Sequence, residues 1–491
     1  MDNSGNQTVA PPQPGVAQEI PVTTDATNPP PPDNGGDQEE EYEEEESSPL
    51  KKILLIAGGI LGVVAVIIII FIIVLRLRSS QPQKITLVYW GLWEDQAIFE
   101  PVFAEFEKLH PNITIEYEQQ DIKGLGNYTQ RLNTRIKSGS DAPDLFRYHN
   151  SWLPEIKDSL LPLPSEVIAG TGIDTDFYPV KDPIGLSSAK VYYGIPLEVD
   201  DLSLFVNNAL MKAGGYQVPT TWNDFRDTAL NLTVKDGSGK ILKSGAAIGT
   251  YDNVDHASDI ISLLLIQNGA DLTSLNGSHK QNADQALTYY TYFATSDPSN
   301  PGQDHRTWDS TMDDSTLAFA KGNVAMYFGY SWDILEIEGV NKDLDFSIYP
   351  VPHPAGGSKS TIASFWEEGV SASTKHPKEA FELLQFMAQK DSLEQIFKNQ
   401  SDTHAVGSPY PRISMASELK SNSLLYPFVS QLSSSTAYST PFSSDTYDSY
   451  LDDNLNTGLQ ADIGKIINSG FSVDSAVDEI AGNLKNVGIG H

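Results

Sequence analysis

Aromatic side chains stand beside carboxyl and amide groups at four places in this sequence. They are Trp90 and Trp93 in YWGLWED, Tyr148 to Trp152 in YHNSW, Trp332 in GYSWD and Trp366 in SFWEE. An aromatic face meets the C–H face of a sugar ring, and a nearby carboxylate or amide takes its hydroxyls, so the set points to carbohydrate. Any one Trp alone is better explained by packing, because tryptophan is normally buried. The acid doublets Asp200-Asp201, Asp313-Asp314 and Glu367-Glu368 would suit a glycosidase. Solvated surface acids explain them better in so acidic a chain, and catalytic carboxylates usually come from distant segments.

Other chemistry is poorly represented. There is no cysteine, hence no thiolate nucleophile, thiolate metal site or disulfide. G-x-S-x-G and H-E-x-x-H are absent, and no two of the nine histidines are spaced i, i+4. The turn Lys235 to Lys240 is not a phosphate loop: Val234 stands where the first glycine belongs, and Ile241 replaces Ser/Thr. No cofactor is implied. A net charge of −33, from 32 Lys+Arg and 65 Asp+Glu, repels phosphate backbones and argues against nucleic acid as a partner.

The elements that must position these groups follow from residue periodicity. Ile85–Trp90 reads as a strand, Gln96–His110 as an amphipathic helix stopped by Pro111, and Ile113–Tyr117 as a second strand. Tyr128–Ser138 reads as a helix and Asp144–Arg147 as a strand. This β-α-β-α-β opening predicts a parallel sheet flanked by helices. Parallel sheets bind ligands at the carboxyl ends of their strands, where the aromatic loops lie. Further on, Tyr192–Pro196, Ser203–Val206 and Val324–Phe328 are strand-like. Thr221 to Asp224 is a capping box for a helix through Asn231. Asp259–Gln267, Asp284–Phe293 and Leu317–Lys321 are helical. Another helix starts at Pro377, its buried face marked by Phe381, Leu384, Phe386 and Met387.

Length, at 491 residues, allows about three domains or lobes of roughly 150 residues each. Composition divides them. Residues 1–50 hold twelve acids and no base, with few aliphatics, and are expected to be a disordered acidic tail. Residues 51–78 are a transmembrane anchor: Ile53 to Leu75 carries no charge and, at about 1.5 Å per residue, exceeds a bilayer core of about 30 Å. Fifty polar residues precede it, unlike a cleaved signal peptide. Lys51 and Lys52 on one side match Arg76 and Arg78 on the other, so charge leaves both topologies open. Residues 79–83 are a linker, and 84–491 are globular throughout.

Five motifs, in order, resemble the extracellular solute-binding proteins of ABC importers, in the branch that includes maltose- and oligosaccharide-binding proteins. ITLVYWGLWEDQAIFEPVFAEFEKLHPNITIEYEQ is similar to the family's first strand–helix–strand. YTQRLNTRIKSGSDAPDLFRYHNSWLPEIKDSLLPLP resembles its Ala-Pro-Asp strand and the loop after it. YYGIPLEVDDLSLFVNN resembles its first hinge crossing, and FAKGNVAMYFGYSWD the segment delivering a ligand-stacking Trp. DFSIYPVPHPAGG with ASFWEEGVSASTKHPKEAFELLQFMAQ resembles the return crossing and next helix. The similarity runs from about residue 84 to 485.

The resemblance implies a two-lobed α/β periplasmic-binding-protein-like fold that closes by a hinge. Lobe 1 would take about 84–200 and 365–415, and lobe 2 about 201–364 and 416–491. It implies a receptor rather than an enzyme, with sugar or oligosaccharide as solute and an ABC permease as partner. By position, Trp332 is the stacking aromatic, Tyr148 a second one, Asp200 a cleft carboxylate beside the first crossing, and Glu94 a hydroxyl acceptor. Trp90, Trp93, Trp366 and Glu367 enter by loop position, and Asn150 and Asp252 complete the set. It further implies that the globular part lies outside the cytoplasm and the tail inside. A tail and permanent anchor depart from the family, where a signal peptide or lipidated Cys is usual. A glycoside-acting enzyme and a tethered sensor or adhesion module remain the alternatives.

Overall fold

β-branched and aromatic runs alternate with amphipathic stretches from residue 85 onward, and the computed structural model shows what they build. It describes residues 49–79, 83–120, 125–181, 191–296, 304–442, 455–487 and 489. The acidic tail expected at 1–50 lies almost wholly outside the described residues, as does much of the 79–83 linker. The chain parts near residue 81 into two units. Among its described residues, the first is one helix, Pro49–Ser79. Its apolar stretch Ile53–Ile73, 21 residues, is long and apolar enough to cross a membrane.

Among the described residues the second unit has three larger sheets and a two-stranded pair, Val234–Lys235 with Ile241–Lys243. In the first, Ile113–Gln119, Ile85–Gly91 and Leu145–His149 run parallel, the first pair in register from Ile85 opposite Ile113 to Gly91 opposite Gln119. Trp366–Val370 then pairs antiparallel with Leu145–His149, and Gly194–Pro196 pairs antiparallel with Trp366–Val370 at the edge. The sheet is therefore mixed, where the opening alone predicts a parallel one. The second sheet is antiparallel, with Ser203–Asn207 between Met326–Gly329 and Phe346–Tyr349.

Between Pro196 and Ser203 the chain passes from the first sheet to the second. It returns between Tyr349 and Trp366. The two passages pair with each other, Asp200 opposite Ser364 and Asp201 opposite Ala363, in a third sheet completed by Thr436–Tyr438 and Val180–Lys181. Two lobes joined by paired crossing strands make a hinge. Asp201 ties it together: its carboxylate accepts from Thr361 Oγ1 at 2.5 Å and from Gln431 Nε2 at 2.6 Å.

The strand Ile85–Gly91, second in order in the first sheet, is covered on both faces over its later half, as its mainly apolar run implies. Leu87 and Tyr89 enter the main core with Ile98, Phe99, Val102, Phe103 and Phe106 of the helix Gln96–Leu109. Trp90 points the other way. It packs with Tyr128 and Leu132 of the helix Leu125–Ser138 and with Phe146, Tyr148 and Trp152 in a separate core. Thr221 caps the helix Trp222–Leu232 by accepting from the Asp224 amide, as the capping box predicts. The helix ending at Tyr292 starts at Gly277, seven residues before the apolar spacing reveals it. In Pro377–Met387, Phe381, Leu384 and Met387 are buried, and Phe386 only half so.

Candidate functional site

A cavity of about 570 Å³ opens where the crossings pass between the sheets. One part of its wall comes from the ends of the first sheet's strands: Trp93 and Glu94 follow Ile85–Gly91, His149 ends Leu145–His149, and Trp366 begins the returning strand. Another comes from Asp255, His256 and the turn Ser331 to Asp333 after Met326–Gly329. Glu198 to Asp200 contribute from the first crossing. Gln400, His404 and the loop through Pro409 complete the wall.

Two aromatic groups line this space. Trp332 is 36% exposed and lies stacked on Tyr330, ring centroids 4.4 Å apart. The turn that presents it is fixed by the Asp333 carboxylate, which meets His256 Nε2 at 2.8 Å and accepts from Tyr327 OH at 2.8 Å and the Tyr330 amide at 2.9 Å. Gly329 makes room for that carboxylate, since a Cβ there would stand 2.4 Å from Asp333 Oδ2. His256 adopts a left-handed backbone, φ 59°, a costly conformation that its bond to Asp333 helps to hold. The second group is Trp366, whose ring meets Trp93, His149 and Trp152 edge-on at 4.7, 5.0 and 5.1 Å.

The carboxyl groups are held differently from one another. Asp200 accepts from the Asp201 amide and the Ser331 amide, 2.8 Å each, and from Ser331 Oγ, tying the first crossing to the Trp332 turn. Burial nevertheless pushes its carboxyl up to about 8. Glu94 receives Gln400 Nε2 on Oε1 at 2.7 Å, while Oε2 has no hydrogen bond; burial, then the nearby Glu198, raises its carboxyl. Burial also opposes ionisation of Asp255, but bonds from Thr316 and Ser315 and the nearby His256 outweigh it, so its carboxyl lies below the usual range. Burial lowers His149 to about 3, so it is neutral, each ring nitrogen bonded to a serine hydroxyl at 2.8 Å.

Of the residues singled out in the sequence, Trp93, Glu94, Asp200, Trp332 and Trp366 line the cavity together. Five do not. Trp90 and Tyr148 are core residues, facing the helix Leu125–Ser138 on a sheet buried on both sides. Glu367 sits against Tyr148, whose hydroxyl is pushed up first by burial and then by that carboxylate. Asn150 ties its strand end to the return crossing through backbone and side-chain bonds with Phe365. Asp252 bonds Gln460 on the helix Thr457–Ser469. His149, Glu198, Asp255, His256, Ser331, Glu336, Gln400 and His404 line the cavity without having been singled out. For Gln400 and His404 a signal existed, four residues apart at the end of the helix Lys390–Thr403. Among the described residues no group of three His, Asp or Glu could hold a metal ion.

The model of the bacterial extracellular solute-binding protein family matches residues 90–393, which include both crossings. The chain belongs to this family. A multiple sugar-binding protein of Streptococcus mutans is 21% identical over 335 residues, covering 65% of this chain and 74% of its own length. Solved structures share the fold of this solute-binding protein. A cyclo/maltodextrin-binding protein complexed with maltotetraose superposes with a TM-score of 0.63 at 18% identity, over 83% of this chain and 98% of that one. The GacH receptor of Streptomyces glaucescens, solved unliganded and with acarbose, gives 0.59 at 18% identity, over 82% and 98%. The expected two-lobed fold and family are thereby found, and the family is one of binding proteins rather than enzymes.

Proposed function

We propose that this protein is a membrane-tethered receptor that binds a carbohydrate between its lobes and delivers it to an ABC import permease. The observation that carries the reading is the cavity at the crossings, where Trp332 and the Trp93–Trp366 pair stand among Glu94, Asp200 and Asp255. Aromatic faces with hydroxyl acceptors between them match the alternating apolar and polar surfaces of a sugar. The sugar-binding relative of Streptococcus mutans and the fold neighbour complexed with maltotetraose support the class. Lobe 1 then takes about 84–200 and 365–415, and lobe 2 about 201–364 and 416–491. The test is a thermal-shift screen of the full chain in detergent against neutral mono- and oligosaccharides. A ligand at 100 times its dissociation constant stabilises the folded state by roughly 2.7 kcal/mol, enough to stand out. Absence of a shift with every saccharide would overturn the reading.

The helix Pro49–Ser79 serves as the anchor, with the globular part outside the cytoplasm and the acidic tail inside. The apolar span and the extracellular family support this arrangement. Protease added to intact cells should release the C-terminal domain. Loss of the tail with the domain left intact would reverse the orientation.

A further inference from the structure

We infer that the cavity selects saccharides by charge, accepting those substituted with hydroxyl or protonated amino groups and rejecting those that carry carboxylate or phosphate. This rests on the carbohydrate reading above and names the class within it. Among the described residues six carboxyl side chains line the cavity: Glu94, Glu198, Asp200, Asp255, Asp333 and Glu336, of which Asp200, pushed up to about 8 by burial, is mostly protonated at neutral pH. No Lys or Arg is among its described lining residues.

The buried basic groups at or behind the wall are already committed, and the one exposed imidazole on it, His404, faces Glu94. Arg147 is 2% exposed and gives Nε to Glu368 at 2.7 Å and a terminal nitrogen to Glu198 at 3.5 Å. His256 is bonded to Asp333, and both nitrogens of His149 are taken by serines. The helix Ala257–Gln267 starts at the cavity, and a helix start favours an anion. Here Asp259 already occupies its first turn, with Asp255 immediately before it. An entering carboxylate or phosphate therefore gives up its hydration without meeting any Lys or Arg among the described lining residues, and at His404 it competes with Glu94.

Glu94 supplies the independent indication of what enters. It is 5% exposed and lines the cavity, yet Oε2 has no hydrogen bond, and His404 Nε2 stands off at 3.8 Å. A buried carboxylate oxygen in that state wants a donor. A sugar hydroxyl or ammonium provides one, whereas an ionised uronate or phosphate oxygen cannot.

The experiment is calorimetric titration of the full chain with tetrasaccharides of β-1,4-glucose, α-1,4-glucose, β-1,4-mannose, β-1,4-glucosamine, galacturonate and mannuronate. The expected result is binding by neutral or glucosamine members, with both uronates at least tenfold weaker than the best neutral one. That gap should narrow at high salt, because charges are screened there. Glu94→Gln should weaken the glucosamine tetramer more than the best neutral one. A uronate binding as tightly as the best neutral tetramer would overturn charge selection and leave the carbohydrate reading standing. No binding by any member, charged or neutral, would overturn both.

Discussion

Trp332→Ala is expected to weaken saccharide binding about 30-fold while changing the free energy of unfolding by less than about 1 kcal/mol. An anchoring aromatic at the centre of an interface contributes on the order of 2 kcal/mol, and each 1.4 kcal/mol is a tenfold change in affinity. The small cost in stability follows from geometry. Trp332 is 36% exposed and rests on Tyr330, which is itself fully buried and stays in place when the outer ring is removed. The turn beneath is fixed by Asp333, independently of the indole. A core tryptophan behaves otherwise, since its loss typically costs about 3–5 kcal/mol. Calorimetric titration with the oligosaccharide that gives the largest thermal shift, plus denaturant unfolding of the same variant, separates the two. Unchanged affinity with a large loss of stability would show Trp332 to be packing and remove it from the site.

The sequence reveals the scaffold of this site better than its inner surface, and strand parity explains much of the difference. Ile85 to Trp90 is apolar but for Thr86, and from Leu87 on it signals a strand covered on both faces, so Trp90 belongs to the core and Trp93, past the strand's end, to the cavity. For Tyr148 the boundary mattered. A strand read as Asp144–Arg147 puts Tyr148 in the following loop, but the strand continues to His149 and every residue of it is buried. Two residues of error at an edge turn a core residue into a ligand contact. Asp252 and Asp255 show the same sensitivity over one short loop: Asp255 lines the cavity and Asp252 bonds outward to Gln460.

Other features have no local pattern at all. Glu94 meets Gln400 across 306 positions, Arg147 meets Glu368 across 221, and His256 meets Asp333 across 77. No periodicity marks such partners, because only the crossings and the stacking of elements bring them together. The crossings were legible only through the likeness of YYGIPLEVDDLSLFVNN to a hinge crossing; taken alone, the acid pair between the strands Gly194–Pro196 and Ser203–Asn207 reads as surface acids, and burial of both shows otherwise. What the acid pair does was not legible: Asp200 braces the Trp332 turn, and Asp201 joins the crossings.

Arg147→Met should destabilise the protein by about 3–5 kcal/mol, the cost of leaving one partner of a buried ion pair alone. Arg147 is 2% exposed and Glu368 is fully buried, joined at 2.7 Å across neighbouring strands of the first sheet. Burial raises the Glu368 carboxyl, and the guanidinium is the main influence holding it down. Without Arg147 that carboxyl must take up a proton to remain buried. A carboxyl whose folded pKa lies above its unfolded value makes stability fall as pH rises through the interval between them. The loss measured at pH 8 should therefore exceed the loss at pH 4. Replacing both partners, Arg147→Met with Glu368→Leu, removes the stranded charge and should recover most of the stability, because an apolar pair of similar volume is often neutral or better. Denaturant unfolding of the single and double variants at both pH values is the measurement. A single-variant loss below about 1 kcal/mol, or a double variant no more stable than the single, would show that the ion pair does not carry this part of the core. Arg147 also lies 5.2 Å from the centre of the Trp93 ring, so the single variant loosens one wall of the cavity and should bind saccharide more weakly at pH 8, where Glu368 is most costly to bury.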